Sequence, residues 1–275
     1  MKKMLIAALA LLVAACSSNP DKLPPDNPFK NGPQKNPREL RAEASTLYKS
    51  AREALDSGDY STAITRYDQI AARYPFTDYA TQADLERVWA LYRSYDPDKA
   101  LSSADRFLRE HPRHPNVDYV QYVKGLINFD RDEGLAGAIG PDTTKEDVAN
   151  QRRSFDDFAL LVQKYPSSRY AGDARARMIW LRNRLAQHEM HVVRFYVKRG
   201  AWIAAAKRAE QVVTQYPGAP VTLEAMQIME TSYRKVGLTQ QADDAKKLLD
   251  AQIAVLPPSE KPRPGFFSRL WPFSA

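Results

Sequence analysis

One cysteine, four histidines and 33 acidic residues are what this 275-residue chain offers for chemistry, and their spacing limits what they can do. A single cysteine, Cys16, cannot form an internal disulfide and excludes a cysteine-built zinc or iron–sulfur site. His188-Glu189-Met190-His191 is the one metal-like grouping. Its histidines are three apart, whereas the zinc-protease helix needs them four apart with Glu directly after the first. No third ligand is evident. His111 and His114 flank Pro112 in a turn and read as surface residues. Asp156-Asp157 and Asp243-Asp244 are adjacent on helical segments, so their side chains diverge and read as solvated faces. The chain has neither a Gly-rich phosphate loop nor a Gly-x-Ser-x-Gly elbow. No catalytic residue, no metal site and no non-covalent cofactor is predicted, and the chain reads as no enzyme. The net charge of +7 is spread along the chain and does not demand nucleic acid.

The N-terminus gives Cys16 a different use. Lys2 and Lys3 precede an apolar run from Met4 to Ala15, which is a signal-peptide core too short to span a membrane, for which about 20 residues are needed. Val13-Ala14-Ala15-Cys16 resembles the bacterial lipobox. That resemblance implies removal of residues 1–15 and acylation of Cys16, the only cofactor-like group expected being this covalent lipid. An ordinary secretory signal that happens to hold a cysteine is the alternative. Ser17, rather than Asp, implies an outer-membrane destination by resemblance to Gram-negative lipoproteins. Three acyl chains exceed what stable anchoring requires. Residues 16–37, with six prolines, read as an extended tether.

From Arg38 to about Leu256 the hydrophobic pattern is helical, punctuated by Tyr74-Pro75, His111-Pro112, Tyr165-Pro166 and Tyr216-Pro217. Ala63 and Ala205 lie five residues after Gly58 and Gly200, and Pro75 and Pro217 twelve residues further on. This spacing resembles the tetratricopeptide repeat: paired antiparallel helices, a Gly at the turn, Ala where helices touch, Pro at the exit. The expected fold is all-α, a solenoid of about five helix pairs. N-terminal repeats are expected over 38–168, with a loop at 130–150, and C-terminal repeats over 169–256. Asp173 to Arg199 contains no Gly or Pro and predicts one long helix joining the halves. Residues 257–275 read as a linker and an aromatic-basic tail, able to pack on the last repeat, enter a membrane interface or dock on a partner.

In such a solenoid the first helices line the binding surface. Trp89, Tyr92, Tyr95 and Tyr122 fall in or just after them and, with Tyr74, are peptide-groove candidates or else inter-repeat core. Residues 173–208 are rich in Arg and Lys, either a solvated face or a surface for an acidic partner.

The lipobox, the tether and the punctuated repeats together resemble the ComL-type family of outer-membrane assembly lipoproteins, over roughly residues 12–256. The segments that carry it are Arg73-Tyr74-Pro75-Phe76, His114-Pro115-Asn116-Val117-Asp118-Tyr119-Val120 and Arg199-Gly200-Ala201-Trp202. The resemblance implies a non-enzymatic scaffold of β-barrel assembly at the periplasmic face of the outer membrane. Its implied partners are the barrel subunit's periplasmic domain, companion lipoproteins and nascent outer-membrane proteins. By position, Arg208, Arg199 and Phe195 are the implied partner contacts. A periplasmic tetratricopeptide adaptor coordinating cell-wall synthesis or division is the alternative.

Overall fold

The structure is a computed structural model and describes residues 36–131 and 148–257. The signal segment with Cys16, most of the tether, most of the 130–150 loop and the aromatic tail lie outside the described residues. Contacts divide the chain after Glu43. In the first unit the described residues open helix α1 (Pro37–Asp56). There Asn36 Oδ1 accepts from the Arg38 N–H at 3.1 Å, and Glu39 reaches back to the Asn36 N–H at 3.3 Å, closing a capping box around Pro37.

From Ala44 onward the helices run in pairs. α1 pairs with α2 (Tyr60–Arg73), α3 (Asp78–Arg93) with α4 (Pro97–Glu110), and α5 (Val117–Asp130) with α6 (Ala149–Lys164). The last pairs are α7 (Ala171–Lys198) with α8 (Trp202–Gln215), and α9 (Thr222–Lys235) with α10 (Thr239–Val255). First helices of successive pairs also touch, α3 with α5 and α7 with α9. Among the described residues there are ten helices and no strand, the expected all-α tetratricopeptide architecture, and no helix is long and apolar enough to cross a membrane.

The repeat spacing has a plain physical origin. Gly58, Gly200 and Gly237 turn the chain between partner helices with φ of +82°, +70° and +75°. Five residues beyond each, Ala63, Ala205 and Ala242 are fully buried where the paired backbones approach. Each second helix ends on a C-cap followed by proline: Tyr74, His111, Tyr165, Tyr216 and Leu256. The following ring cannot continue the helix.

The second pair departs from this scheme in one residue. Tyr95 occupies the glycine position with φ of +58°, its ring 84% exposed, and Ala100 follows five residues later. A left-handed non-glycine residue costs about 1–2 kcal/mol, and this ring recovers little by burial. Tyr95→Gly is therefore expected to stabilise the protein by about 1 kcal/mol after the entropy of glycine in the unfolded chain is deducted. A thermal melt should rise by about 2–4 °C; an unchanged or lowered midpoint would contradict this account.

Helix α7, 28 residues and about 42 Å long, confirms the expected long helix. Leu181 and Ala174 belong to a core with Phe158 and Leu161 of α6, while Leu185, Met190 and Val193 belong to the next core with Ala205 and Ala209 of α8. The N-terminal and C-terminal repeats therefore meet on one continuous helix.

Two readings need correction. Asp157 does not face solvent: it is buried, accepting from Asn128 Nδ2 at 2.8 Å and pairing with Lys124 Nζ at 3.2 Å. Adjacent carboxylates on a helix point about 100° apart, so Asp156 stays exposed while Asp157 turns onto α5. Burial pushes the Asp157 carboxyl above the usual range despite Lys124. His111 and His114 are half-buried rather than superficial, their rings packed 5.0 and 5.3 Å from that of Phe107.

Candidate peptide groove and partner surface

The first helices line an open groove of about 550 Å³. Arg52 comes from α1, Glu86, Trp89 and Arg93 from α3, Tyr119 from α5, and Arg169 and Tyr170 from the entry to α7. A carboxylate organises its floor. Glu86 Oε1 accepts from Tyr48 Oη at 2.6 Å, Arg52 Nη1 at 2.9 Å and Gln82 Nε2 at 2.9 Å. Its Oε2 accepts from Tyr67 Oη at 2.7 Å. Burial and the bonds to Glu86 push both tyrosine hydroxyls well up, so they remain donors. Burial works against the charge on Arg52, but Glu86 outweighs it and pushes Arg52 up.

The charge balance of the groove follows. Arg52 is engaged by both acidic residues of the lining, Glu86 at 2.9 Å and Asp56 at 3.4 Å. Arg93 lies over Tyr60 and Trp89, 5.4 and 5.5 Å from their ring centroids, with no carboxylate partner among the described residues. Arg169 lies 4.8 Å from the Tyr170 ring centroid and bonds its hydroxyl. Two guanidiniums thus remain open for carboxylates or backbone carbonyls, among aromatic faces suited to apolar side chains.

Of the groove candidates, Trp89 lines this site. Tyr92 stands behind it, 5.3 Å from the Trp89 ring, and donates to Asp130. Tyr122 stacks at 4.8 Å on Tyr170, a wall residue, and donates to Asp173 at 2.6 Å; burial and that bond push its hydroxyl up to about 12. Tyr74 is the half-buried C-cap of α2 and does not line the groove, and Tyr95 sits at the turn described above. Sequence reasoning missed Arg52, Glu86, Arg93, Arg169 and Tyr170. Trp89 and Arg93 carried a readable signal, an aromatic and an Arg one helical turn apart.

The C-terminal candidates separate into two places. Arg199 lies 4.7 Å from the Phe195 ring centroid on the last turn of α7, and Phe195 is 49% exposed. Arg208, on α8, turns instead toward Gln211 Oε1 at 3.3 Å and Glu189 Oε2 at 3.9 Å, with its tip exposed. The basic stretch is not uniformly available. Arg194 makes a two-pronged pair with Glu224 of α9 at 2.7 and 2.6 Å, and Arg177 pairs with Asp173 at 2.6 Å. His188 and His191 lie on α7 and join no cluster of three metal-ligating groups among the described residues.

Residues 41–248 match the family described as YfiO, outer membrane lipoprotein. The chain is 36% identical over 226 residues to the outer membrane protein assembly factor BamD of Neisseria meningitidis serogroup A, covering 82% of each chain. It is 34% identical to the namesake in Vibrio cholerae, over 89% of this chain and 95% of that one. With that of Haemophilus influenzae it shares 33% over 95% and 94%. A solved tetratricopeptide repeat protein from Parabacteroides merdae aligns over 79% of this chain and 82% of its own at 11% identity and TM-score 0.36; the helix pairing above carries the fold without it. By its match over most of its length, the chain belongs to the BamD family of outer membrane lipoproteins.

Proposed function

We propose that this protein is a non-enzymatic scaffold of outer-membrane protein assembly, anchored through lipid on Cys16 at the periplasmic face. Its N-terminal groove receives extended segments of unfolded outer-membrane proteins. Its C-terminal repeats hold the periplasmic domain of the barrel subunit, with Arg208, Arg199 and Phe195 as contacts. The observation that carries the reading is the groove itself, in which Arg93 and Arg169 stand beside Trp89, Tyr119 and Tyr170 with no carboxylate among the described residues occupying them. Such a surface recognises aromatic side chains and carboxylates of an extended chain and holds no pair of groups arranged for proton or group transfer. The exposed Phe195–Arg199 stack and Arg208 offer an apolar face and cations to an acidic protein partner.

Affinity purification of the lipidated protein from Gram-negative cells, read by mass spectrometry, tests this. The barrel subunit should be recovered with the wild type. Arg208→Glu should reduce its recovery about tenfold, as loss of one interface charge pair does, while far-ultraviolet circular dichroism stays native. Equal recovery would remove Arg208 from the interface, and recovery of cell-wall enzymes without a barrel subunit would overturn the proposal.

A further inference from the structure

The first helices carry the Trp89–Arg93 arrangement a second time, away from the groove. On α7, Arg184 stands one turn beyond Trp180 and lies 5.1 Å from its ring centroid. Four-residue spacing places both on one helix face, as it does Trp89 and Arg93. Arg184 has no carboxylate partner among the described residues, and its Nε is buried without any hydrogen bond. Trp180, on the same side of α7 as Arg184, leaves 40% of its surface exposed. Phe129, half-buried at the end of α5, packs 5.1 Å from Trp180 and backs its ring.

An unbroken line of side chains joins this patch to the groove. Tyr170 in the groove wall stacks on Tyr122, whose hydroxyl donates to Asp173. Arg177 engages the same carboxylate and covers the Phe129 ring at 4.7 Å. Burial pushes the Asp173 carboxyl up, but the bonds from Tyr122 and Arg177 hold it below its usual range. Ten residues of helix separate Tyr170 from Trp180, about 15 Å. An extended chain rising about 3.3 Å per residue covers that in four to five residues. A spacing of four also keeps two side chains on the same side of a strand.

We infer that Trp180 and Arg184, backed by Phe129, form a second subsite for the same extended segment. It takes an aromatic side chain about four residues from the one in the Trp89 groove, with Arg184 receiving a nearby carboxylate. This rests on the groove reading and adds a register to it. Charge complementarity favours an acidic, aromatic polypeptide as the occupant, because Arg93 and Arg184 each have no acidic partner among the described residues.

Fluorescence anisotropy with labelled twelve-residue peptides tests it on the full mature protein. One peptide carries two Asp-Phe pairs with the phenylalanines four residues apart; the other replaces one phenylalanine by serine. The wild type should bind the first about tenfold more tightly, the gain expected of one extra buried aromatic contact. Trp180→Ala and Arg184→Glu should each remove most of that gain while leaving the single-Phe peptide within about twofold. Arg93→Glu should weaken both peptides. Equal affinity for the two peptides on the wild type overturns the second subsite and leaves the groove standing. Failure of both peptides to bind overturns the groove and the subsite with it. A gain that tracks self-association in sedimentation velocity would assign the patch to a second copy of this chain instead.

Discussion

Glu86→Ala is expected to destabilise the protein by about 3–4 kcal/mol and to lower its thermal midpoint by about 10 °C. The carboxylate is nearly inaccessible and accepts four hydrogen bonds from three helices, those of Tyr48, Arg52, Tyr67 and Gln82. Removing it strands the Tyr67 hydroxyl, which is fully buried, and the half-buried Tyr48 hydroxyl. Each orphaned donor costs about 1–3 kcal/mol according to its burial. Arg52 adds less, since its tip is 44% exposed and Asp56 remains beside it. Tyr67→Phe alone deletes one donor with its bond and is expected to cost about 1 kcal/mol. Combined with Glu86→Ala it should cost less than the two separate losses, because the stranded hydroxyl is gone. Strictly additive losses in urea titrations would show that Glu86 is not the shared acceptor. The groove should suffer too, since Glu86 fixes the Arg52 guanidinium in its lining.

The second large effect lies in the third helix pair. Gly125→Val should cost about 2–3 kcal/mol, with a melting midpoint some 5–10 °C lower. A Cβ at Gly125 would stand 2.5 Å from Phe158 Cε1 and 2.6 Å from Cδ1, and the Phe158 ring is fully buried with nowhere to turn. The closeness of α5 and α6 here is held by Ser154, whose hydroxyl donates to the Gly125 carbonyl at 2.9 Å. Ser154 stands where Ala63, Ala100 and Ala205 stand in the neighbouring pairs, eleven residues before the C-cap. Gly125→Ala should cost less, since better helix propensity returns about 1 kcal/mol. Phe158→Leu should relieve the clash in the Gly125→Val background, giving a double variant more stable than additivity allows. A Gly125→Val melt matching the wild type would refute the close approach.

Both positions show where reading the chain alone stops. Gly125 carries no signal of its own, because a glycine inside a helix is explained only by what packs on it, here a ring some thirty residues away. Glu86 sits on a helix in a run of ordinary charged residues, and nothing local distinguishes it from the exposed Asp78 on the same helix. Asp156 and Asp157 look alike in the sequence; one helical step puts the second onto Lys124 and Asn128. By contrast Gly58, Gly200, Pro75 and Pro217 were readable, since a left-handed turn and a helix stop depend on the residue itself and its neighbours.

The sequence by itself determined the repeat architecture, the long α7 and the resemblance to outer-membrane assembly lipoproteins. Backbone conformation and helix period are local properties, written in residues a few positions apart. Only the tertiary structure decided the groove. Arg52, Arg93 and Arg169 come from three different repeats, and they share a surface because the helix pairs stack with α3 packed on α5. It also decided how the basic side chains are engaged, because Arg194 and Arg177 find internal carboxylates while Arg93, Arg184 and Arg199 rest, among the described residues, on aromatic rings. Whether a charge is available depends on what stands opposite it, and that is set by packing across repeats rather than by neighbours in the chain.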